Sequence, residues 1–529
     1  MIKKVLGIHY KSFLFFFVLG ASITFALGHS MQFHSTGNDF WNILYYGRNM
    51  TLSEPESLYN GFYPFGYAFI IGQMPFTYIL PIAYIINSLL AGLFTASTAT
   101  LSLYARNVFA VLIATFGSIA APFVFQSTHT IGPDIGAAAF VAFAVFLLWK
   151  NHFEEQFPFP KLGEGLGVRE LTDLHSILIG ASLGLGFLTR THVIVSVIAI
   201  FIGYFLLFGI RPFRSRLIMI GAFFCFVLMQ IIVNLVSGHG ALETAQAFNM
   251  YKFLYGFNPT YPPTPNEIEK FSFIKVIFEN PKLFFYSYWG QFRFISSFSW
   301  TSIICFLLSP RGQFAKLALF SFITSILYSI PIVVGDSPRA PLMVMSAYVV
   351  CMGLIPVVFT QQIERYYPKS QWLNIAVAIF FFMIYFNTFR GWILYDTNFV
   401  YVNQTEQKNL RVIENTLLSN GMNSPSEVYS DRYDFYTPNT MPYRSRQIGN
   451  WNIDWVWGYS VEFPILPSDN LESFLNACKE QGVRFLALSP NSHFRGEIFS
   501  QIYNEEVDIE LLGLKFIGQR GNIRLYEIK

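Results

Sequence analysis

Acidic and basic side chains that could take part in chemistry lie in four short segments between apolar runs. These segments are His34 to Asp39, His129 to Asp134, Arg190 to His192, and Asp336 to Arg339. A carboxylate within hydrogen-bond reach of a hydroxyl takes its proton as that oxygen attacks. A guanidinium neutralises the negative charge that develops on a departing phosphate. Residues of these types could serve the transfer of a group from a phosphate-linked donor to a hydroxyl.

Each of these charged residues also has a purely structural interpretation. Asp39 and Asp134 are suited to capping a helix N-terminus, where a carboxylate complements the helix dipole. Arg190 is long enough to extend to lipid headgroups, and Asp336 and Arg339 are close enough in sequence to pair with each other. The histidines match no metal-ligand spacing, so we expect neither a metal site nor a cofactor.

The composition excludes a water-soluble protein. Of the 529 residues, 53% are hydrophobic and 13% are charged, whereas soluble domains carry about 25% charged residues. A net charge of +3 is too small to indicate nucleic acid as a partner. The four cysteines have no spacing typical of a disulfide framework or a zinc finger. We therefore expect the chain to lie largely in a membrane.

Apolar runs of roughly 17 to 25 residues, the length that crosses a bilayer, predict about eleven membrane-spanning helices. The segment 63–77 is apolar but short and broken by prolines, which indicates a re-entrant or interfacial piece. The run 176–210 is long enough for one helix or two, and the polar Thr189-Arg190-Thr191-His192 in its middle favours two. The predicted spans lie near residues 12–29, 78–103, 108–126, 134–149, 176–189, 193–210, 217–237, 294–308, 317–334, 340–359 and 372–389.

Lysine and arginine counts in the connecting segments predict the orientation. With the N-terminus in the cytoplasm, 14 of these residues before residue 390 lie inside and 8 lie outside. The first helix also fits a secretory signal, but it lacks a convincing small-residue cleavage site, which favours a retained anchor. We therefore predict a multi-pass protein of the cell membrane, with everything after residue 389 on the outer face.

The part after residue 389 changes character. It carries 17 of the 32 acidic residues and has no glycine-rich phosphate loop. Helical patterns at 405–419 and 469–481 alternate with strand patterns, which is typical of a small α/β domain. The expected strands are 428–430, 484–488, 509–518 and 522–528. We therefore predict a polytopic α-helical membrane domain over 1–389, with a first outer loop at 30–77, and an extracytoplasmic α/β domain over 390–529.

The sidedness of the four charged segments restricts the donor. All four lie outside in this topology, so they can converge on one cavity. A nucleotide sugar is made in the cytoplasm, and the cytoplasmic loops are too short for a nucleotide-binding domain. A donor at the outer face must therefore arrive attached to a membrane lipid. Arg190 and Arg339 are candidates for holding its phosphate; Asp39 is the candidate base, and Asp134 would orient the acceptor or hold Asp39.

The first outer loop carries a pattern that resembles a known family. It contains Asp39-Phe40-Trp-Asn, then Tyr45-Tyr-Gly-Arg48, then Tyr63-Pro-Phe-Gly-Tyr67. This order is similar to the first outer loop of the GT-C membrane glycosyltransferases, closest to the branch of the protein O-mannosyltransferases and the lipid A aminoarabinose transferase. Asp39-Phe40 stands where the family often has Asp-Glu, and Pro-Phe stands where it has a double proline.

Three further segments agree with this resemblance. Pro133-Asp134 before an apolar run is similar to the family's second aspartate. The segment from Gly180 to Arg190 is similar to its glycine-rich helix that ends in Leu-Thr-Lys/Arg, and Asp336 to Pro341 is similar to a later outer-loop pattern. The resemblance covers most of residues 1–360 in layout. It implies a GT-C-like fold of about eleven spans with an outer C-terminal domain.

The resemblance also implies a function. The expected donor is a sugar linked to polyprenyl phosphate, displaced directly with inversion and without an obligatory metal. Asp39 is implied as the base and Arg190 as the contact to the phosphate. The acceptor stays open among a protein, a lipid and a glycan, and membrane lipid is the other expected partner. Further residues expected to bind substrate are Tyr45, Arg48, Tyr63, His192 and Asp336.

Other functions compete with this prediction. A transporter or flippase for lipid-linked sugars would also gather polar residues in the membrane, but it often shows two similar halves, which this sequence lacks. An O-antigen ligase or polymerase would use the same donor chemistry but would not explain the first-loop pattern. A non-catalytic anchor for the outer domain would not need eleven spans.

Overall fold

Helices dominate the computed structural model of the protein. Six of its helical stretches are long and apolar enough to cross a membrane: Tyr10–Gly28, Pro81–Ala105, Asp134–Glu154, Phe213–Val236, Leu342–Ile363 and Trp372–Gly391. The protein is therefore a multi-pass membrane protein. The structure describes residues 6–7, 9–30, 35–36, 40, 43–44, 46–47, 50, 53, 58, 63–74, 79–121, 124–155, 173–209, 213–242, 251, 254–255, 272–296, 299–309, 312–329, 340–364, 371–423, 427–430, 466–467, 470–490 and 496–529.

Fifteen of the described helices precede the C-terminal sheet. Three of them, α4, α7 and α8, are apolar but shorter than the six long stretches. They are α1 (Tyr10–Ser30), α2 (Phe65–Gly72), α3 (Ile79–Ser102), α4 (Val108–Ala120), α5 (Val124–His129), α6 (Asp134–Glu155), α7 (Asp173–Thr189), α8 (Val193–Phe208), α9 (Phe213–Val236), α10 (Phe273–Glu279), α11 (Pro281–Ser296), α12 (Trp300–Leu308), α13 (Gly312–Ser329), α14 (Met345–Ile363) and α15 (Gln371–Ser419).

The helix lengths bear on the predicted number of spans. Helix α12 has 9 residues and rises about 14 Å, too little to cross a hydrocarbon core of about 30 Å by itself. The run 176–210 forms two helices, α7 and α8, with a turn between them in which the Val193 N–H donates to the Arg190 carbonyl at 3.1 Å. The short segment at 63–77 contains the eight-residue helix α2. The count of about eleven spans stays a prediction.

The bundle is built around helix α14. Of its apolar window 89% is buried, against 28% for α9, so α14 lies at the centre and α9 at the lipid-facing side. Helix α14 packs against α4, and a second row runs through contacts of α1 with α3, α3 with α6, and α6 with α7. One continuous apolar core connects these helices and includes Phe146, Trp149 and Leu354.

Glycines let helix α7 approach α9 closely. A Cβ added at Gly180 would collide with the carbonyl oxygen of Met219, and one at Gly184 would collide with the ring of Phe226. The glycine-rich pattern of this helix is therefore a packing feature. It brings the backbones of α7 and α9 together and fixes the position of the end of α7 that leads to Arg190.

The C-terminal residues form a four-stranded sheet. The strands lie in the order β3 (Val428–Ser430), β4 (Phe485–Leu488), β6 (Ile523–Ile528) and β5 (Leu514–Arg520). Strand β3 runs parallel to β4, whereas β6 is antiparallel to both β4 and β5. Alternate residues of β4 face opposite sides: Phe485 packs with Ile413 of α15, and Leu486 packs with Phe474 of α16. The elements are β3 (Val428–Ser430), α16 (Leu471–Glu480), β4 (Phe485–Leu488), α17 (Gly496–Tyr503), β5 (Leu514–Arg520) and β6 (Ile523–Ile528).

Helix α15 is longer than the sequence pattern indicated. The predicted span at 372–389 and the predicted helix at 405–419 are parts of one helix of 49 residues. The segment contains no proline and a single glycine, Gly391, so nothing in it interrupts a helix. The proposed boundary at 389 therefore falls inside a continuous helix.

Candidate functional site

An ion pair joins the adjoining ends of α6 and α7. Asp134 is the first residue of α6, and Arg190 follows the last residue of α7, where its N–H donates to the Gly186 carbonyl at 3.0 Å. The Arg190 Nε atom lies 2.8 Å from Asp134 Oδ1, and each side chain is 13% exposed. The charge of Arg190 is thus satisfied within the protein. An ion pair this well shielded from water is stronger than a surface pair and holds both groups in place.

The segments before Asp39 and Asp134 pair with each other. Ser35 and Thr36 form β1, which runs parallel to β2, formed by Thr130 and Ile131. Thr36 is three residues before Asp39, and Ile131 is three residues before Asp134. Two of the four charged segments therefore lie side by side at this pairing, and the convergence of all four stays a prediction. Asp39 itself lies outside the described residues.

Helix α3 is hydrogen-bonded to the segment that contains β2. The Asn87 side chain donates to the carbonyl of Thr130 at 3.1 Å and to that of Thr128 at 3.3 Å. Asn87 is fully buried, so these bonds replace contacts to water that the carbonyls have lost. The loop that leads to Asp134 is therefore tied to a membrane helix.

The loop at 30–77 packs against the segment that leads to Asp134 through an apolar cluster. Phe40, the residue after Asp39, is 1% exposed and lies in one cluster with Ile131 of β2. We call this set the first-loop cluster; its buried members are Phe40, Ile43, Leu44, Tyr46, Tyr63, Tyr67, Ala68, Ile71, Ala83, Tyr84 and Ile131. The cluster holds the first loop between α2, α3 and the start of α6.

Two tyrosines that the sequence did not single out as site residues lie close to the ion pair. Tyr67 on α2 and Tyr328 on α13 are fully buried, and the charges of both Asp134 and Arg190 act on their hydroxyls. Within the described part of the chain, neither hydroxyl has a hydrogen-bond partner. Because a buried hydroxyl without a partner costs free energy, these two hydroxyls are candidates for contact with a ligand. Tyr67 is the last residue of the Tyr63-to-Tyr67 pattern, which was a signal for that position, whereas no motif pointed to Tyr328.

Tyr328 also lines a small cavity. The cavity lies between α6, α8, α13 and the start of α14. Its lining is mostly apolar, with hydroxyls from Ser196, Thr324, Tyr328 and Ser346. Tyr328 precedes the charged segment 336–339 in the sequence, and Met343 follows it. Both residues line this cavity.

Of the remaining predicted site residues, two lie within the described ranges and five lie outside them. Tyr63 is buried in the first-loop cluster, and His192 lies in the turn between α7 and α8, two residues after Arg190. Among the residues that the structure describes, no three His, Cys, Asp or Glu side chains gather as metal ligands would. The predicted residues outside the described ranges are Asp39, Tyr45, Arg48, Asp336 and Arg339.

Solved structures of other proteins share this fold. The chain superimposes on ArnT from Cupriavidus metallidurans bound to undecaprenyl phosphate with a TM-score of 0.57, covering 97% of this chain and 98% of ArnT at 12% identity. The fold is that of the GT-C membrane glycosyltransferases. The apo form of the same ArnT superimposes on this chain with a TM-score of 0.52 at 11% identity, covering 96% of this chain and 97% of ArnT.

The GT-C fold confirms the resemblance drawn from the short motifs. No family model and no curated protein sequence matches the chain, which agrees with how short and degenerate those motifs are. The likeness covers 97% of this chain. At 12% identity it establishes the fold, and the activity has to be argued from the site.

Proposed function

We infer that this protein transfers a sugar from a polyprenyl-phosphate donor to an acceptor at the outer face of the membrane. The observation that carries this inference is the Asp134–Arg190 ion pair, which holds a guanidinium where two helix ends adjoin in a fold like that of ArnT. The likeness to an ArnT bound to undecaprenyl phosphate supports a polyprenyl phosphate as the lipid carrier.

Arg190 is suited to hold the phosphate of the donor. Its guanidinium pairs with Asp134 through Nε, and its planar fork is suited to bind two phosphate oxygens. Asp134 then acts as a positioning residue that aims the guanidinium. Tyr67 and Tyr328, with buried hydroxyls beside this pair, would donate to the phosphate or to the sugar. Arg339 would add a second cation.

Asp39 is the proposed base. The pairing of Thr36 with Ile131 brings the chain before Asp39 beside the chain before Asp134. In the proposed reaction the Asp39 carboxylate takes the proton of the acceptor hydroxyl as its oxygen attacks the anomeric carbon. The bond from that carbon to the phosphate oxygen breaks, and polyprenyl phosphate leaves with the electron pair. The sugar is transferred with inversion, and Tyr45, Arg48, Tyr63, His192 and Asp336 would hold the substrates.

The full chain, purified in detergent, is tested with a panel of radiolabelled polyprenyl-phosphate sugars. Loss of sugar from the lipid is followed for the wild type, for Asp39→Asn and for Arg190→Gln. We expect loss with at least one donor in the wild type, and a rate at least a hundredfold lower in both variants. The matched control is Glu527→Gln, which removes a carboxylate of a surface pair on the C-terminal sheet and should keep the wild-type rate.

The results distinguish the proposed role of Asp39, the transferase function and direct displacement from their alternatives. Equal rates in the wild type and Asp39→Asn remove Asp39 from the role of base. Donor moved across a vesicle membrane with its sugar still attached would favour a transporter. Stereochemistry is read from the product: retention of configuration would contradict direct displacement.

A further inference from the structure

A side chain of helix α9 holds the start of helix α2. The N–H of Phe65, the first residue of α2, donates to Gln230 Oε1 at 3.2 Å across 165 positions of the chain. The first N–H groups of a helix have no partner within that helix. Pro64, which precedes α2, supplies no side-chain cap. Gln230 therefore serves as the capping residue of α2, although it belongs to another helix.

A chain of hydrogen bonds sets the direction of the Gln230 amide. Its Nε2 donates to Asn234 Oδ1 at 2.8 Å, and Asn234 Nδ2 donates to the Ala241 carbonyl at 3.1 Å. A backbone N–H only donates, so the atom that faces Phe65 must be the amide oxygen. Turning the Gln230 amide over would set donor against donor at Phe65 and acceptor against acceptor at Asn234. Asn234 therefore orients the cap.

The two amides continue the buried stripe of α9 that contains Met219, Phe223 and Val227. Gln230 is 8% exposed and Asn234 is 3% exposed. Burying an amide costs free energy unless it is hydrogen-bonded, and Asn and Gln in membrane helices form such bonds to neighbouring segments. No other Asn or Gln occurs in α9. The position of this amide pair in an otherwise apolar part of the helix is explained by the contact with α2.

Helix α2 also touches the end of α7. A Cβ added at Gly66 would lie 2.8 Å from both the Cβ and the carbonyl oxygen of Leu188, which is two residues before Arg190. The residue after Gly66 is Tyr67, and the charges of Asp134 and Arg190 act on its buried hydroxyl. The cap on α2 and this close approach to α7 therefore fix the helix at two points directly before Tyr67.

We propose that Gln230 and Asn234 are positioning residues, which cap α2 and thereby hold the Tyr67 hydroxyl beside the Asp134–Arg190 pair. Tyr67 is the third residue of α2, so it lies in the turn that the cap secures. Loss of the cap frees this turn and weakens the binding of the donor. The role rests on the proposed function, because Tyr67 is assigned there to the phosphate or the sugar of the donor.

Hydrogen exchange reads the cap without any turnover. The full chain is studied in detergent, and exchange of the backbone amides in peptides covering 63–74 is followed by mass spectrometry. Gln230→Met has a similar length but no amide oxygen, and it should speed exchange at the start of α2 about threefold or more. Asn234→Leu should act in the same direction, because the Gln230 amide loses its orientation.

Two further variants separate the cap from a general loss of stability. Gln230→Glu keeps an oxygen acceptor for the Phe65 N–H in either protonation state, so α2 should exchange as in the wild type. Asn107→Ala is the matched control: it removes the cap of α4, where the side chain accepts from two backbone N–H groups. This control should leave the exchange of α2 and the KM for the donor unchanged.

Kinetics test whether the cap acts through Tyr67. Gln230→Met should raise the KM for the donor about fivefold and change kcat by less than about twofold, and Gln230→Glu should restore the KM. Tyr67→Phe should by itself raise the KM about tenfold. Adding Gln230→Met to it should change the KM little, because both changes remove the same contact, whereas independent effects would multiply to about fiftyfold.

Unchanged exchange of α2 in Gln230→Met overturns the cap. Faster exchange with an unchanged KM, or multiplied effects in the double variant, overturns the link from Gln230 to Tyr67. If the wild type turns over no donor, the proposed function fails, and the exchange measurement still decides whether Gln230 and Asn234 hold α2.

Discussion

Arg190 reaches across from the end of α7 to Asp134 at the start of α6, with 2.8 Å between Nε and Oδ1. The two residues are 56 positions apart in the chain. This contact orients the Arg190 guanidinium in a place that is mostly shielded from water. The β1–β2 pairing before Asp134 and the buried hydroxyls of Tyr67 and Tyr328 accompany this ion pair.

Removing one partner of this pair should cost both stability and turnover. For Asp134→Asn we expect a loss of about 2 kcal/mol in the free energy of unfolding, less than a fully buried pair because each side chain keeps some exposure. Donor turnover should fall at least tenfold, since Arg190 loses its orientation. Thermal unfolding in detergent and the donor assay measure the two effects. Glu527→Gln, from a pair with side chains 53% and 25% exposed, should cost at most about 1 kcal/mol.

Replacing Gly180 by Ala should separate α7 from α9. The added Cβ would collide with the Met219 carbonyl and lie 2.8 Å from the Ala222 side chain, so we expect a destabilisation of about 1 to 3 kcal/mol. The matched control is Gly221→Ala on α9, where a Cβ meets nothing within 4 Å. That change should be neutral or slightly stabilising, because Ala favours the helix over Gly. Equal melting temperatures for the two variants would contradict the close packing.

Tyr328→Phe and Tyr67→Phe should weaken donor binding without weakening the fold. Neither hydroxyl has a partner among the described residues, so its removal should leave the melting temperature unchanged or raise it. The KM for the donor should rise about tenfold, the loss of roughly one hydrogen bond to a charged group. Tyr204→Phe is the contrast: its hydroxyl bonds to Arg216 and His152, so this change should lower the melting temperature.

Asn87→Ala should disturb the loop that leads to Asp134. The variant removes hydrogen bonds to the carbonyls of Thr128 and Thr130, and we expect a loss of about 1 to 3 kcal/mol together with a lower turnover. Asn107→Ala removes the cap of α4, where the side chain accepts from two backbone N–H groups, at a cost of about 1 kcal/mol. A similar fall in turnover for both variants would argue against a specific role for the Asn87 contacts.

Local pattern was enough to locate most of the helices and strands. A span is recognised by the length and hydropathy of one continuous run, and the strands at 428–430 and 484–488 follow from short apolar runs between turns. The turn at Arg190 to His192 was also predictable, because polar residues interrupt an apolar segment there. Local pattern failed at α15, where two predicted pieces form one helix, since the change from apolar to polar composition does not by itself break a helix.

The sequence alone determined that the chain crosses the membrane repeatedly, that its last part forms strands and helices, and that Asp134 and Arg190 stand at helix ends. Only the tertiary structure decided that these two residues pair, that Thr36 lies beside Ile131, and that Tyr67 and Tyr328 approach them. The reason is physical. Helix formation depends on neighbours along the chain, whereas the register between helices depends on how facing surfaces interlock, as at Gly180 and Met219, and that fit is not written in any single segment.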